Sequence, residues 1–153
     1  MTAEVVRMHT IQRVMNEFLG WRAPALDAED LVVYRETIAF FEGSINAHAA
    51  RALGDTDRRI YSAYYKRGEG YRRLFSEVFG PEKIPSEIRY FLRRFLGKTI
   101  TADIDVLERA PNIVADLCSW LVWKGYIPES DMEAAIDELG AQSFGEEQNS
   151  VSI

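Results

Sequence analysis

The chain of 153 residues is 47% hydrophobic and 27% charged, an ordinary globular balance, and one domain of this size buries roughly 68–70% of its unfolded surface, enough for a self-sufficient core. Its single cysteine, Cys118, excludes an intrachain disulfide and any multi-cysteine zinc or iron–sulfur centre. The net charge of −6 hides a segregation: residues 1–50 carry four Lys/Arg against seven Asp/Glu, residues 51–98 carry twelve against six, and residues 99–153 carry two against eleven.

No apolar run approaches the roughly 20 residues a membrane helix requires. The opening MTAEVVRMHTIQRV lacks the basic segment, apolar block and small-residue cleavage site of an export signal. A cytoplasmic location with no membrane partner is the expectation.

The first helix is predicted from about Ala3 to Leu19, with Met8, Ile11, Met15, Phe18 and Leu19 on one side and Gly20 as its stop. Asp27 can cap the next helix, and Glu29 and Asp30 suit the positive end of its dipole. That helix, Asp27 to Leu53, organises the chain. Leu31, Tyr34, Ile38, Phe41, Ile45, Ala49 and Ala52 form one stripe at steps of three and four. Val33, Phe40 and Ala47 form a second line, which implies neighbours on more than one face. Gly43, costing about 1 kcal/mol against alanine within a helix, implies a closely packed partner there.

Residues 57–79 read as one amphipathic helix. Ile60, Tyr64, Tyr71, Phe75 and Val78 share one face, Arg59, Ser62, Lys66, Glu69, Arg73 and Glu77 the other, and Gly68 and Gly70 allow a kink. Gly80-Pro81 stops it. A fourth helix, Pro85 or Ser86 to Leu96, sets Ile88, Phe91, Leu92, Phe95 and Leu96 against Arg89, Arg93 and Arg94. Thr101 is placed to cap a short segment bearing Ile104 and Leu107, and Pro111 to open a separate buried helix that ends at Lys124-Gly125. Ser130-Asp131-Met132-Glu133 matches a capping box for a final helix from Asp131 to Leu139, with Ile136 and Leu139 facing inward. Residues 141–153 have little periodicity and are expected to be a flexible tail. The result is an all-α single domain over residues 1–140, a bundle of about six or seven helices around a central one.

Chemistry is sparse. The Glu-x-x-His pair of helical di-iron bundles is absent, and the two histidines, His9 and His48, are too few for a histidine-based metal site; His48 reads as a partly buried residue bonded to a neighbour. Cys118, among Leu117, Trp120 and Leu121, reads as a small packed group and not a nucleophile. No G-x-S-x-G, P-loop or G-x-G-x-x-G pattern occurs. The expectation is therefore no enzyme, no catalytic residues, no metal and no cofactor.

What remains is binding. The basic middle of the chain can meet an anionic partner, another copy of the chain or its own acidic end. Arg58, Arg59, Lys66 and Arg73, joined by Arg89, Arg93 and Arg94 on the fourth helix, are the candidate residues for that anionic partner. A spacing of seven lines up Arg59, Lys66 and Arg73 to meet phosphates, with Tyr61 and Tyr65 beside them to stack on bases. Trp21, Trp123 and Tyr126, near helix ends, supply apolar anchors if exposed. The sequence thus favours a cytoplasmic, non-enzymatic binding or regulatory protein that works through contacts with another protein or itself. The alternative is nucleic-acid binding through the arginine row.

Overall fold

The computed structural model describes residues 9–66, 73–98 and 103–137, with no strand among them. The fold is all-α. Helix α1 spans Ile11–Arg22, α2 Ala28–His48, α3 Asp55–Lys66 and α4 Phe75–Val78. A fifth helix, α5, joins Ile88–Tyr90, Phe91–Phe95 and Leu96–Lys98; α6 spans Ile104–Trp123, and α7 covers 129–137. Among the described residues no helix is long and apolar enough to cross a membrane.

The expected central helix is central. Asp27 caps α2 by accepting from the Asp30 N–H at 2.8 Å, and Tyr34, Ile38, Phe41, Ile45 and Ala49 all join the core. Helix α6 packs along it and α1, α4 and α5 adjoin it. Phe41 stacks on Phe91 at 4.8 Å between centroids, and both side chains are fully buried. Buried residues from Ile11 to Met132 form one continuous cluster.

Several boundaries differ from expectation, each for a local reason. Helix α1 starts at Ile11, because Thr10 is extended and its hydroxyl accepts from the Arg13 N–H; residues 1–8 lie outside the described part. Gly20 does not stop α1, which continues to Arg22, where Arg22 engages Asp116 on α6. The helix predicted over 57–79 is not one helix. Leu74 is extended, at φ −69° and ψ 155°, and α4 begins afresh at Phe75, with Glu77 accepting from the Leu74 N–H. Asn46 and Glu42 on α2 fix that new start by accepting from the Ser76 N–H and hydroxyl, at 2.8 and 2.7 Å.

Pro111 does not open a helix but lies inside α6, which starts after Asp103 and runs unbroken. Its buried stripe of Val106, Ala110, Ile113, Val114, Leu117 and Leu121 extends to both sides of the proline, so packing outweighs the one lost N–H. Helix α7 begins at residue 129, before the expected cap at Ser130. It reaches the core through Met132, while Ile136, one turn on, is 44% exposed. Within α5, Phe91–Phe95 is a π-helical stretch whose wider turn the Leu96 N–H closes onto the Phe91 carbonyl. Gly43 has no close partner: a Cβ there would meet only Phe95 Cζ, at 4.0 Å. Leu139 and the expected tail, 141–153, lie outside the described residues.

Candidate protein-interaction surface

The most exposed large aromatic on the described surface is Trp123, at 71%, and Trp21 follows at 48%. They come from opposite ends of the chain. Trp21 stands in the last turn of α1 and Trp123 is the final residue of α6, and their ring centroids are 6.1 Å apart. Both helices put them there for identifiable reasons. The Phe18 and Val14 stripe of α1 is buried against the core, which leaves Trp21 at the edge of that stripe. Helix α6 ends in a glycine-dependent turn: Gly125 takes φ +81°, its N–H bonds to the Val122 carbonyl, and the Tyr126 N–H bonds to the Leu121 carbonyl. This is the Schellman pattern, and a residue with a Cβ strains it. The turn leaves Trp123 outside and folds Tyr126 back over Trp120 at 5.8 Å.

Beneath the exposed pair lies a buried aromatic floor. Trp120, only 3% exposed, meets Trp21 at 6.3 Å and Phe18 at 5.5 Å. Its indole N–H is buried without a hydrogen-bond acceptor.

Two polar networks flank the rings. On one side the Arg22 Nε donates to Asp116 Oδ2 at 2.8 Å, and the Tyr34 hydroxyl donates to the same oxygen at 2.7 Å. The Arg22 guanidinium also lies 5.8 Å from the Trp21 ring centre, a cation–π distance. Burial, then the bond to Asp116, pushes the Tyr34 hydroxyl above its ordinary range. On the other side Glu17 accepts from the Tyr126 hydroxyl, and Lys124 Nζ lies 3.0 Å from Glu17. The Glu17 bond, with burial adding to it, pushes the Tyr126 hydroxyl up to about 12. The same bond holds the Glu17 carboxyl below the usual carboxylate range. His9 rests its ring against Tyr126 at 5.4 Å. The rim cations Arg22 and Lys124 are thus each spent on a carboxylate of the chain itself.

The row that the sequence suggests requires a helix running through Arg73, and Arg73 is non-helical. Arg58 and Arg59 are exposed on α3 and, with Asp55, Ser62 and Ala63, line an open groove of about 510 Å³. Arg58 also donates to the Leu53 carbonyl at 3.3 Å. The side chain of Lys66, together with Arg67 and Arg72, lies outside the described part. Arg73 is exposed but non-helical, so it is not carried on the face of α3. Tyr61, expected to stack on bases, is half-buried against Phe75 and Phe79, at 5.7 and 6.0 Å. The side chain of Tyr65 lies outside the described part. On α5, Arg89 and Arg94 are exposed and Arg93 is half-buried.

A comparison with known protein families, curated proteins and solved structures finds no match to this chain.

The remaining candidates have structural partners. His48 Nδ1 lies 2.9 Å from Glu87 Oε1 and its ring stacks on Tyr90 at 3.7 Å, so it is the partly buried, bonded histidine expected. Glu87 itself is only 2% exposed. Cys118 is buried, and burial pushes its thiol up to about 12, which leaves no thiolate for nucleophilic attack near neutral pH. Among the described residues no three His, Cys, Asp or Glu side chains are grouped to hold a metal ion.

Sequence reasoning named Trp21, Trp123 and Tyr126 but missed the residues that hold them. Asp116 and Glu17 carry no distinguishing pattern in the sequence, and nothing in their local spacing brings Arg22 to one or Lys124 to the other. The Lys-Gly-Tyr ending of α6 was the available signal, since a C-terminal glycine turn folds the next residue back over the last turn.

Proposed function

We propose that the chain is a non-enzymatic binding module of the cytoplasm that engages another protein through the Trp21–Trp123 ledge. One observation carries this reading: two tryptophans 102 positions apart in sequence stand side by side in solvent, 48% and 71% exposed, over a buried aromatic floor. Exposed indole area is unfavourable in water, at about 25 cal/mol per Å². Tryptophan, tyrosine and arginine are also the residues enriched where binding energy concentrates, at a dry centre within a polar rim. The Arg22–Asp116 and Glu17–Lys124 pairs supply such a rim and fix the rings before a partner arrives, which reduces the ordering cost of binding.

Photo-crosslinking tests the reading. A benzophenone amino acid at position 119, exposed one turn before Trp123 on α6, should give discrete adducts in cytosol that vanish in a Trp21→Ala background, whereas the same probe at position 59 should give none that depend on Trp21. Position-independent adducts would refute a specific surface.

The second reading, nucleic-acid binding, rests on the groove beside Arg58 and Arg59. Phosphate contacts of this kind weaken steeply with salt. Titration with labelled DNA and RNA at two salt concentrations, against an Arg58→Glu/Arg59→Glu variant, separates it from the first: salt-sensitive binding abolished by the charge reversal would move the function to α3.

A further inference from the structure

We infer that a second copy of the chain covers the outer face of α2, in an antiparallel helix pair about a two-fold axis between Arg35 and Glu36. The surface is separate from the Trp21–Trp123 ledge, and the inference does not rest on that ledge.

The composition of the face is the first argument. A helix at a domain surface carries its charged and polar residues outward, whereas one that is apolar all round is normally enclosed. Helix α2 buries Tyr34, Ile38, Phe41 and Ile45 on one side. At about 100° per residue, Ala28, Val32, Arg35, Glu36, Ala39 and Gly43 fall on the opposite side. All of them are exposed, Val32 at 52%, yet only Arg35 and Glu36 carry a polar side chain. The close partner that Gly43 implies in sequence is also missing within the chain, where a Cβ would meet only Phe95 Cζ at 4.0 Å.

Symmetry is the second. Residues equidistant from the point between Arg35 and Glu36 complement each other: Arg35 with Glu36, Val32 with Ala39, and Ala28 with Gly43. In a two-fold contact, residue i meets residue j while j meets i. The order therefore gives two Arg35–Glu36 pairs across the axis and sets the largest apolar side chain of the face, Val32, over the small Ala39. Neither Arg35 nor Glu36 has an ion-pair partner among the described residues, so both are available to a second copy.

Charge fixes the register. A parallel pair brings Arg35 beside Arg35, and an antiparallel pair centred on Ala39 sets Glu36 against Glu42; such like-charge contacts cost affinity. Centring on Val32 matches Glu29 with Arg35 but engages only residues 28–36 of the helix. The register between Arg35 and Glu36 engages residues 28–43, a strip about 24 Å long and one helix wide. That strip is small beside the roughly 800 Å² each partner gives to a stable complex, so the pair is a weak, reversible dimer.

Charge exchange on the full chain tests this, with Arg35→Glu and Glu36→Arg at two exposed positions. Sedimentation equilibrium over rising concentration should show a monomer–dimer equilibrium in the wild type. Either variant alone places two like-charged pairs across the axis and should dimerise at least about tenfold more weakly, while an equimolar mixture should regain wild-type affinity as a one-to-one heterodimer. Circular dichroism and urea midpoints equal to wild type show that both variants are folded. A wild-type chain that stays monomeric at the highest concentration reached would overturn the inference. A dimer insensitive to both reversals and lost in Trp123→Ala would overturn it in favour of the ledge. Normal self-association of Glu36→Arg, or a mixture that does not recover, would rule out the antiparallel register.

Discussion

The same kind of side chain meets two fates in this molecule. Under the centre of α2, Phe41 and Phe91 stack at 4.8 Å with both rings fully buried. At the junction of α1 and α6, Trp21 and Trp123 approach to 6.1 Å and remain largely in solvent. The first pair is surrounded by helices on several sides, whereas the second sits where two helices end and nothing further crosses them among the described residues. Aromatic contact alone does not distinguish a core from a binding surface. What lies on the outer side of the rings does.

The sharpest way to break this contrast is truncation at each place. Phe41→Ala should destabilise the fold by about 3–5 kcal/mol, the range for a fully buried aromatic, whereas Trp123→Ala should change it by less than about 1 kcal/mol. Urea midpoints of the two variants decide it, and equal losses would mean the ledge is part of the core.

A second test concerns the buried thiol next to that core. Cys118 ionises near 12 in the folded chain against about 9 for a free thiol. Because the folded value is the higher, this contribution to stability is complete below about pH 9 and is lost as pH rises toward 12, where the unfolded chain alone has released the proton. Tyr126, also raised to about 12, acts in the same direction. The urea midpoint should fall between about pH 9 and pH 11, and Cys118→Ala should make the fall shallower whatever its cost at neutral pH. An unchanged slope would show that the thiol is hydrated.

The smallest effect is expected at Gly43, where the helix faces Phe95 with room to spare. Alanine there should stabilise by about 0.5–1 kcal/mol, since only ordinary contact with Phe95 Cζ at 4.0 Å results. A lowered thermal midpoint would restore the close packing that the glycine suggests in sequence.

The stripe through Tyr34, Ile38, Phe41 and Ile45 was legible because α-helical periodicity survives wherever one face is buried and the other is not. The cap at Asp27 and the stop at Gly125 were legible for a similar reason, since each is a local backbone requirement. What could not be read was decided at a distance. Pro111 looks like a beginning, and only the packing of Val106 and Ala110 ahead of it keeps α6 whole. Residues 57–79 look like one helix, and it is Asn46 and Glu42, some thirty positions earlier, that fix a new start at Phe75. The candidate surface divides in the same way. Its tryptophans and Tyr126 stood out by residue type and by their place near helix ends, but their rim depends on Arg22 finding Asp116, 94 positions away, and Tyr126 finding Glu17, 109 positions away. The arginine row was drawn on one continuous helix, since a repeat of seven predicts one face only while the helix continues, and Arg73 is non-helical.

The Arg22–Asp116 bond also bears on the order in which the molecule assembles. A contact that spans 94 positions closes one of the longest loops in the chain, and contacts of that range form slowly because the loop entropy must be met first. Helices α2 to α5 can gather through nearer neighbours, but α1 and α6 meet at Asp116 only when the two ends of the domain come together. Since Trp21, Trp120 and Trp123 all stand at that meeting point, intrinsic fluorescence during refolding should time the closure of the chain ends, and far-ultraviolet circular dichroism the earlier formation of the helices.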